Sequence, residues 1–317
     1  MDGIVIRGSR NLFVVRTGRE EAMFRIKGKI LKSEKNYYNP LAPGDKVEVE
    51  NGLITGLGKR RNFFARFNQK GQATQILASN VDLVLCVTSL CSPPFRPRFL
   101  DRVLLQADIA GIPAAIVCNK YDLADDSSDD VIDIEERLSD FERIGCPVFR
   151  ISVHTGEGME ELQRFIKGKI SVLVGQSGVG KSSLIRVLAP HLDLEIKTGA
   201  INEKYDRGNH TTTQPVLLDL DGSTRIIDTP GIRRFVPDFP LSEEDPGGAA
   251  GADNLISYMR EFSSLAGKCS YGLSCSHKTE PGCKVMEAVD AGVIHEDRYV
   301  SFLRIREELS GKHAYND

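Results

Sequence analysis

A glycine-rich segment with a single lysine, GQSGVGKS at residues 175–182, constrains the fold of this chain more than any other feature. It follows an apolar run at residues 171–174 and opens a stretch with apolar residues at helical spacing, so it stands between a predicted strand and a predicted helix. In that setting the glycines let backbone N–H groups surround phosphates at the positive end of a helix. A glycine-rich turn is the alternative, but the context predicts a phosphate-binding loop in an α/β domain.

The residues of this loop have separate predicted roles. Lys181 neutralises the β and γ phosphates, Ser182 offers its hydroxyl to Mg²⁺, and Ser183 lies beside the α phosphate. The complete predicted set is Gly175, Gln176, Ser177, Gly178, Val179, Gly180, Lys181, Ser182 and Ser183. Such a loop serves ATP and GTP alike, so the base must be identified by another segment.

The base is identified by NKYD at residues 119–122, directly after an apolar run at residues 114–118. The Asp122 carboxylate can accept hydrogen bonds from guanine N1–H and the 2-amino group, whereas adenine has no such donor pair and would leave the carboxylate unpaired. Asn119 is predicted to brace the loop, and Lys120 to lie along the base. The segment therefore predicts guanine specificity.

Two further segments follow predicted strands. Ser152 belongs to a loop typical of a backbone N–H contact to guanine O6, and DTPG at residues 228–231 closes a strand at residues 224–227. Asp228 is predicted to hold Mg²⁺ through water, and the Gly231 N–H to sense the γ phosphate. The alternatives are a helix N-cap for Ser152 and an ordinary turn for DTPG.

The segment RGNHTTT at residues 207–213 is predicted to be a nucleotide-sensing switch. A switch needs a threonine hydroxyl that reaches Mg²⁺ only while the γ phosphate is present, and the sequence does not choose between Thr212 and Thr213. Ras-like enzymes orient the attacking water with a glutamine after the DxxG motif, but here residues 232–234 are Ile, Arg and Arg. His210 is the candidate substitute, although an exposed loop histidine is equally ordinary. Hydrolysis is therefore expected to be slow until a partner orders the switch.

The first 75 residues differ from the rest of the chain in residue pattern and in charge. Short β-type runs broken by Gly, Pro and Asn predict a small all-β barrel, either an OB-fold or an SH3-like barrel. They carry 15 Lys or Arg against 7 Asp or Glu, a balance of +8, while the rest of the chain balances at −11. The basic and aromatic residues suited to phosphate contacts and base stacking are Arg7, Arg10, Arg16, Arg19, Lys59, Arg60, Arg61, Arg66, Phe63, Phe64 and Phe67. A solvated basic face is an equal alternative.

The middle of the chain alternates apolar strands with helical stretches, which predicts one mostly parallel sheet of about six strands. A small-residue loop at residues 246–252 precedes a helical C-terminal region. There Cys269, Cys275 and Cys283 fall within fifteen residues, with His277 between them. Neither a membrane span nor a signal peptide is evident, so we expect a cytoplasmic protein with reduced cysteines.

The motifs occur in a permuted order, because NKYD precedes the phosphate loop instead of following DTPG. Permutation preserves a nucleotide site, since both halves still meet at the same sheet edge. With a basic barrel ahead and a Cys/His cluster behind, nearly the whole chain resembles the RsgA (YjeQ) family of circularly permuted GTPases. The matching segments are PGD at 43–45, NVD at 80–82, GQSGVGKSSL at 175–184, HTTT at 210–213, DTPGIR at 228–233 and EPGC at 280–283.

This resemblance implies an OB-fold at residues 1–75, a circularly permuted P-loop GTPase domain at 76–240 and a mainly helical zinc module at 252–317. It implies that Cys269, Cys275, His277 and Cys283 hold one structural Zn²⁺ and that GTP or GDP binds with Mg²⁺. It also implies a GTP phosphohydrolase that binds the small ribosomal subunit and its rRNA and acts in late maturation of that subunit. We further expect a chain that is monomeric when free and has no membrane partner.

Two other functions remain open from the sequence. The chain could be a GTP-sensing RNA-binding module whose hydrolysis is incidental, or a metabolic GTPase unrelated to RNA. The effect of purified ribosomal subunits on GTP turnover distinguishes all three.

Overall fold

The computed structural model describes residues 1–9, 11–28, 37–124, 128–192, 214–239 and 249–309. Contacts divide the chain into two compact units, one made of residues 1–139 and 146–237, the other of residues 140–145 and 238–317. The first unit contains a barrel, a hairpin and a six-stranded sheet. The predicted domain boundaries at residues 75, 240 and 252 remain a proposal.

The N-terminal barrel is closed, with strand order β1-β2-β3-β5-β4, which confirms the predicted barrel. Its strands are β1 (Asp2–Ser9), β2 (Leu12–Thr17), β3 (Glu20–Ile26), β4 (Lys46–Glu50) and β5 (Leu53–Leu57). Val47 and Val49 alternate with exposed residues along β4 and point into a core shared with Phe13 and Ile54. Strands β3 and β5 pair in parallel, so the barrel has the five-stranded Greek-key order of an OB-fold.

Several basic residues that the sequence analysis assigned to phosphate contacts form ion pairs within the first unit. Arg60 donates to both carboxylate oxygens of the fully buried Asp45, at 2.7 and 2.8 Å. Arg61 pairs with Asp82 at 2.6 Å. Arg16 in β2 pairs with Asp219 at 3.0 Å, and Phe64 lies in the core. These side chains therefore make contacts within the protein. Fewer basic and aromatic side chains remain available to contact nucleic acid.

A hairpin of β6 (Phe63–Asn68) and β7 (Ala73–Ser79) follows the barrel. It joins the six-stranded sheet through Asn62, whose side chain both donates to and accepts from the Val81 backbone, at 2.9 and 3.0 Å. Such paired contacts satisfy buried backbone groups at the junction.

The six-stranded sheet has the order β10-β9-β8-β11-β13-β12, parallel except for β12. Its strands are β8 (Leu83–Ser89), β9 (Ala114–Asn119), β10 (Val148–Arg150), β11 (Ile170–Gly175), β12 (Val216–Asp219) and β13 (Arg225–Asp228). Strands β8 and β9 are buried at every residue, as expected for a sheet covered on both faces. The chain proceeds outward from β8 in one direction and from β11 in the other, so the β8/β11 boundary is the switch point where α/β sheets bind ligands.

The described residues form helices in both units. They are α1 (Pro97–Ile109), α2 (Asp129–Arg143), α3 (Met159–Ile166), α4 (Lys181–Leu188), α5 (Ala249–Tyr258), α6 (Arg260–Ser263), α7 (Lys284–Asp290) and α8 (Glu296–Leu309), with 3₁₀ turns at Tyr121–Leu123 and Gly272–Ser274. In the second unit Phe262 stacks on Phe302 with ring centroids 4.8 Å apart, and Arg298 forms a buried ion pair with Glu261. No described helix is long and apolar enough to cross a membrane.

Candidate nucleotide site and metal centre

Three motifs meet at one edge of the six-stranded sheet. NKYD begins at the last residue of β9, the phosphate loop begins at the end of β11, and DTPG begins at the end of β13. These strands run parallel, so their carboxyl ends lie on the same side. The permuted chain order thus still assembles one site.

The phosphate loop places the Lys181 ammonium against its own backbone. Lys181 begins α4, is only 7% exposed, and donates from Nζ to the carbonyls of Gly175 and Gln176 at 2.7 and 3.0 Å. Burial lowers the pKa of Lys181, while the nearby Asp228 carboxylate acts in the opposite direction. Ser182 and Ser183 are exposed at the start of the same helix. A charged donor and two hydroxyls therefore flank the N-terminus of α4, where an anion is favoured.

Asn119 links the guanine motif to the phosphate loop. Its side-chain Nδ2 donates to the Val179 carbonyl at 2.9 Å, and its Oδ1 accepts from the Val153 N–H at 3.2 Å. Gly180 has a φ of +98°, and a Cβ there would collide with the Asn119 amide, so only glycine fits. Asn119 is thus placed between the phosphate loop and the Ser152 loop, as its predicted bracing role requires.

The other guanine-motif residues lie on a tight turn after β9. Lys120 has a φ of +64°, and its ammonium donates to the Ser92 carbonyl. Asp122 is exposed on the 3₁₀ turn that follows. Ser152 is fully buried, and its hydroxyl accepts from the N–H groups of His154 and Thr155 at 3.2 and 3.0 Å. The Ser152 side chain therefore shapes its own turn and is not available for a base contact.

Asp228 is a buried carboxylate with an unsatisfied oxygen. It is 7% exposed, and its Oδ1 has no hydrogen-bond partner among the described residues. Burial raises the pKa of Asp228 to about 6, while Lys181 acts to lower it. An unpaired buried carboxylate oxygen is costly unless a cation satisfies it, and oxygen ligands are those that Mg²⁺ prefers. The carboxylate therefore fits the predicted Mg²⁺ role.

Gly231 lies directly on the phosphate loop. A Cβ at Gly231 would lie 2.9 Å from Ser177 Cα, and the next residue, Ile232, donates its N–H to the Gly175 carbonyl at 3.1 Å. Thr229 donates its hydroxyl to the Leu173 carbonyl at 2.6 Å. These contacts hold the DTPG backbone directly against the phosphate loop and the end of β11.

The loop after β8 also contacts this site, although no motif in the sequence predicts it. The buried Ser89 hydroxyl donates to the Pro93 carbonyl at 2.7 Å, and Pro93 lies 3.5 Å from where a Cβ on Gly178 would stand. The adjacent Ser92 carbonyl accepts from Lys120. A serine at the end of an otherwise apolar strand was the available signal. His210, Thr212 and Thr213 lie outside the described residues.

The Cys/His cluster of the second unit has the geometry of a closed metal site. The ligand atoms of Cys269, Cys275, His277 and Cys283 all lie within 4.8 Å of one another, and all four residues are buried. His277 Nδ1 is 3.5 Å from Cys269 Sγ and 3.4 Å from Cys283 Sγ, while those two sulfurs are 3.9 Å apart. Tetrahedral zinc bonds imply about 3.6 Å between nitrogen and sulfur and about 3.8 Å between sulfurs. The residues therefore fit Zn²⁺, and the cluster includes Cys269 despite the five residues that separate it from Cys275.

The surroundings of the cluster hold its ligands in place. The Lys284 N–H donates to Cys269 Sγ at 3.3 Å. Tyr299 donates its hydroxyl to the His277 carbonyl at 2.6 Å, and Arg306 donates to the Cys275 carbonyl at 2.8 Å. Outer contacts of this kind orient metal ligands and tune their affinity.

Comparison with known proteins gives one consistent family. The sequence model described as RsgA GTPase matches residues 57–237. A protein of Bacteroides fragilis (strain YCH46) named small ribosomal subunit biogenesis GTPase RsgA is 33% identical over 315 residues, covering 97% of both chains. A Porphyromonas gingivalis (strain ATCC BAA-308 / W83) protein of the same name is 34% identical over 321 residues, with 97% of both covered.

Two solved structures share the fold. The crystal structure of YjeQ from Thermotoga maritima superposes with a TM-score of 0.69 and 27% identity, covering 98% of this chain and 99% of that one. YloQ, described as a circularly permuted GTPase, has a TM-score of 0.66 and 23% identity over 99% of this chain and 96% of its own. The likeness to YloQ concerns the fold alone. The family match and the full-length relatives confirm the expected family and activity: the chain belongs to the RsgA GTPase family and is a circularly permuted GTPase.

Proposed function

We propose that this GTPase binds the small ribosomal subunit and hydrolyses GTP to GDP and phosphate during late maturation of that subunit. The observation that carries the nucleotide part is the Asn119 bridge, which ties the guanine motif to the phosphate loop within 2.9 Å. The ribosomal part is supported by relatives that match 97% of the chain and are named for small-subunit biogenesis.

The described residues divide the work of nucleotide binding. Asp122 accepts from the guanine edge, and Lys181 with the backbone N–H groups of its loop binds the phosphates. Ser182 and Asp228 would hold Mg²⁺, which neutralises phosphate charge when bound. Gly231, held against Ser177, presents its N–H toward the terminal phosphate.

The chain positions the hydrolytic water poorly by itself. Ile232 occupies the place of the usual glutamine and is only 3% exposed, so it can neither donate to nor accept from water. We assign that role to His210, with Thr212 or Thr213 completing the Mg²⁺ shell. Binding to a partner would place these side chains at the γ phosphate and so raise the hydrolysis rate.

We further propose that the cluster of Cys269, Cys275, His277 and Cys283 holds one structural Zn²⁺. Three thiolates and one imidazole fill a tetrahedral shell and leave no open position for catalysis. Their burial and short mutual distances support this assignment.

The partner surface is proposed to include the barrel and the hairpin. Arg19 and Lys59 are exposed there, and Phe63 and Phe67 are half-buried, so cations and aromatic rings are available to rRNA. We propose that the protein acts in the cytoplasm and is monomeric when free of the subunit.

The decisive experiment measures GTP turnover with purified small subunits, with large subunits and with neither. We expect small subunits alone to raise turnover at least tenfold, and Lys181→Ala to abolish it in every condition. Unchanged turnover with nucleotide-dependent subunit binding would favour the GTP-sensing module instead. If subunits do not change turnover and no subunit binding is detected at low salt, the result would favour a GTPase unrelated to RNA.

A further inference from the structure

The segment that follows DTPG is fixed at two points. At its start, the Ile232 N–H donates to the Gly175 carbonyl at 3.1 Å, and Gly231 packs on Ser177. Further on, Phe235 is buried against Phe64, with ring centroids 5.7 Å apart. A short stretch between two fixed points has little freedom, so its residues stay close to the phosphate loop.

Two arginines occupy this stretch. Ile232 is buried, whereas Arg233 and Arg234 are both exposed. Arg233 follows Gly231 by two residues, so their Cα atoms lie at most about 7.6 Å apart. Arg234 is engaged in an interaction of its own within the chain. Arg233 is therefore an exposed cation two residues from the end of DTPG.

GTP hydrolysis develops negative charge that a nearby cation can stabilise. The oxygen of a water molecule bonds to the γ phosphorus, the bond from phosphorus to the β–γ bridging oxygen breaks, and its electron pair remains on GDP. Both hydrogens of the water end on the released phosphate, one on the oxygen that attacked and one on a phosphoryl oxygen. Negative charge accumulates on the transferring group and the leaving oxygen in the transition state, and an arginine that contacts them lowers the barrier.

We propose that Arg233 is a catalytic residue that contacts the γ-phosphoryl oxygens of GTP and stabilises the transition state from within the same chain. Its guanidinium contributes charge and N–H donors and takes no part in proton transfer. The neighbouring Ile232 faces the core, so this segment contributes charge stabilisation rather than water positioning. The inference rests on the GTPase activity and not on the ribosomal partner.

The test is single-turnover GTP hydrolysis by Arg233→Ala, Arg233→Lys and the matched control Arg234→Ala, each without subunits and with them. We expect Arg233→Ala to slow hydrolysis about 10²- to 10³-fold while the Kd for GDP changes less than twofold. We expect Arg233→Lys to recover part of the rate, because it restores the charge without the planar fork. Arg234→Ala should stay within threefold of the unaltered chain.

A second measurement separates catalysis from folding. GDP with aluminium fluoride imitates the transition state, so Arg233→Ala should lose tight binding of that complex while GDP binding and circular dichroism are unchanged. Hydrolysis by Arg233→Ala within threefold of the unaltered chain would overturn the proposal, and so would a GDP affinity that falls as far as the rate. A slowed intrinsic rate in Arg233→Ala, together with no stimulation of the unaltered chain by subunits, would leave this inference standing and refute the ribosomal one.

Discussion

The nucleotide site of the first unit and the Cys/His cluster of the second hold their functional atoms by different forces. The nucleotide loops extend from strands such as β8 and β9, which are buried at every residue, so the sheet persists whether or not the loops hold a ligand. The cluster lies in a chain segment where four ligand side chains themselves form part of the buried interior. We therefore expect that ligand binding can be lost without unfolding in the first unit, whereas loss of the metal site should also destabilise the second unit.

Removing one metal ligand should break the second unit. We expect Cys275→Ser to lose bound zinc and to make residues 249–309 sensitive to protease, because structural zinc contributes about 10–16 kcal/mol in small metal-dependent folds. GDP binding should persist. Metal analysis and limited proteolysis give the answer, and Cys91→Ser is the control, since Cys91 is exposed and outside the cluster. Full zinc content in Cys275→Ser would contradict the assignment.

Changing the guanine contact should alter function in the first unit without altering its fold. Asp122→Asn exchanges an acceptor pair for an amide, so two charge-assisted hydrogen bonds of about 1.5–3 kcal/mol each are lost. We expect GDP affinity to fall about 10²- to 10⁴-fold and xanthosine diphosphate to bind instead, because xanthine offers an acceptor where guanine has its amino group. The control is the exposed Asp129→Asn, at the start of α2. Equal losses for both nucleotides in titration calorimetry would argue against the assigned contact.

Asp228 offers a test in which a site residue of the first unit does affect stability. Because its pKa is raised to about 6, the folded metal-free protein holds a proton that the unfolded chain releases between about pH 4 and pH 6. The free energy of unfolding should therefore fall by up to ~3 kcal/mol as pH rises through that window. In Asp228→Asn this fall should be absent.

Urea unfolding without Mg²⁺ at pH 4 and pH 8 measures the difference. Asp221→Asn is the control, because hydrogen bonds from Thr224 and Ser223 lower the pKa of the exposed Asp221 and this carboxylate therefore stays ionised across that pH range. Identical pH profiles for Asp228→Asn and the unaltered chain would show that burial of this carboxylate costs nothing.

The smallest expected effect concerns the support of the metal centre. Tyr299→Phe deletes the hydroxyl that donates to the His277 carbonyl at 2.6 Å, a loss of about 1 kcal/mol. We expect zinc to remain bound but to be removed several times faster by a chelator. Tyr271→Phe, at an exposed position, should leave the release rate unchanged. Equal release rates in both variants would mean that the ligands alone hold the metal.

Much of the nucleotide site could be predicted because phosphate and guanine chemistry demand contiguous motifs after strands. The role of Asn119 was predictable for that reason, although its partner Val179 lies 60 residues away. The choice of an OB-fold over an SH3-like barrel was not predictable from the strand pattern, because strand alternation is the same in either barrel. The family resemblance implied an OB-fold, and the parallel pairing of β3 with β5 agrees with it.

The fate of the basic residues could not be predicted from the sequence. Arg16 is paired with Asp219, 203 residues further on, and Arg60 is paired with a carboxylate in a turn. A charge count does not show which basic side chains form ion pairs within the folded chain, because ion pairing depends on tertiary contacts. Likewise, nothing in the motif pattern placed the Ser92 carbonyl beside Lys120.

The order of strands in the six-stranded sheet has a consequence for synthesis. Strands β8, β9 and β10 form one contiguous half that carries the guanine motif, and β11, β12 and β13 form the other half with the phosphate loop and DTPG. As the chain leaves the ribosome, the guanine half is complete once residue 150 has emerged, and β11 can then pair along the open edge of β8. The three motifs of the nucleotide site are therefore all present only after residue 231 has been made. The chain completes this site in the last third of its own translation.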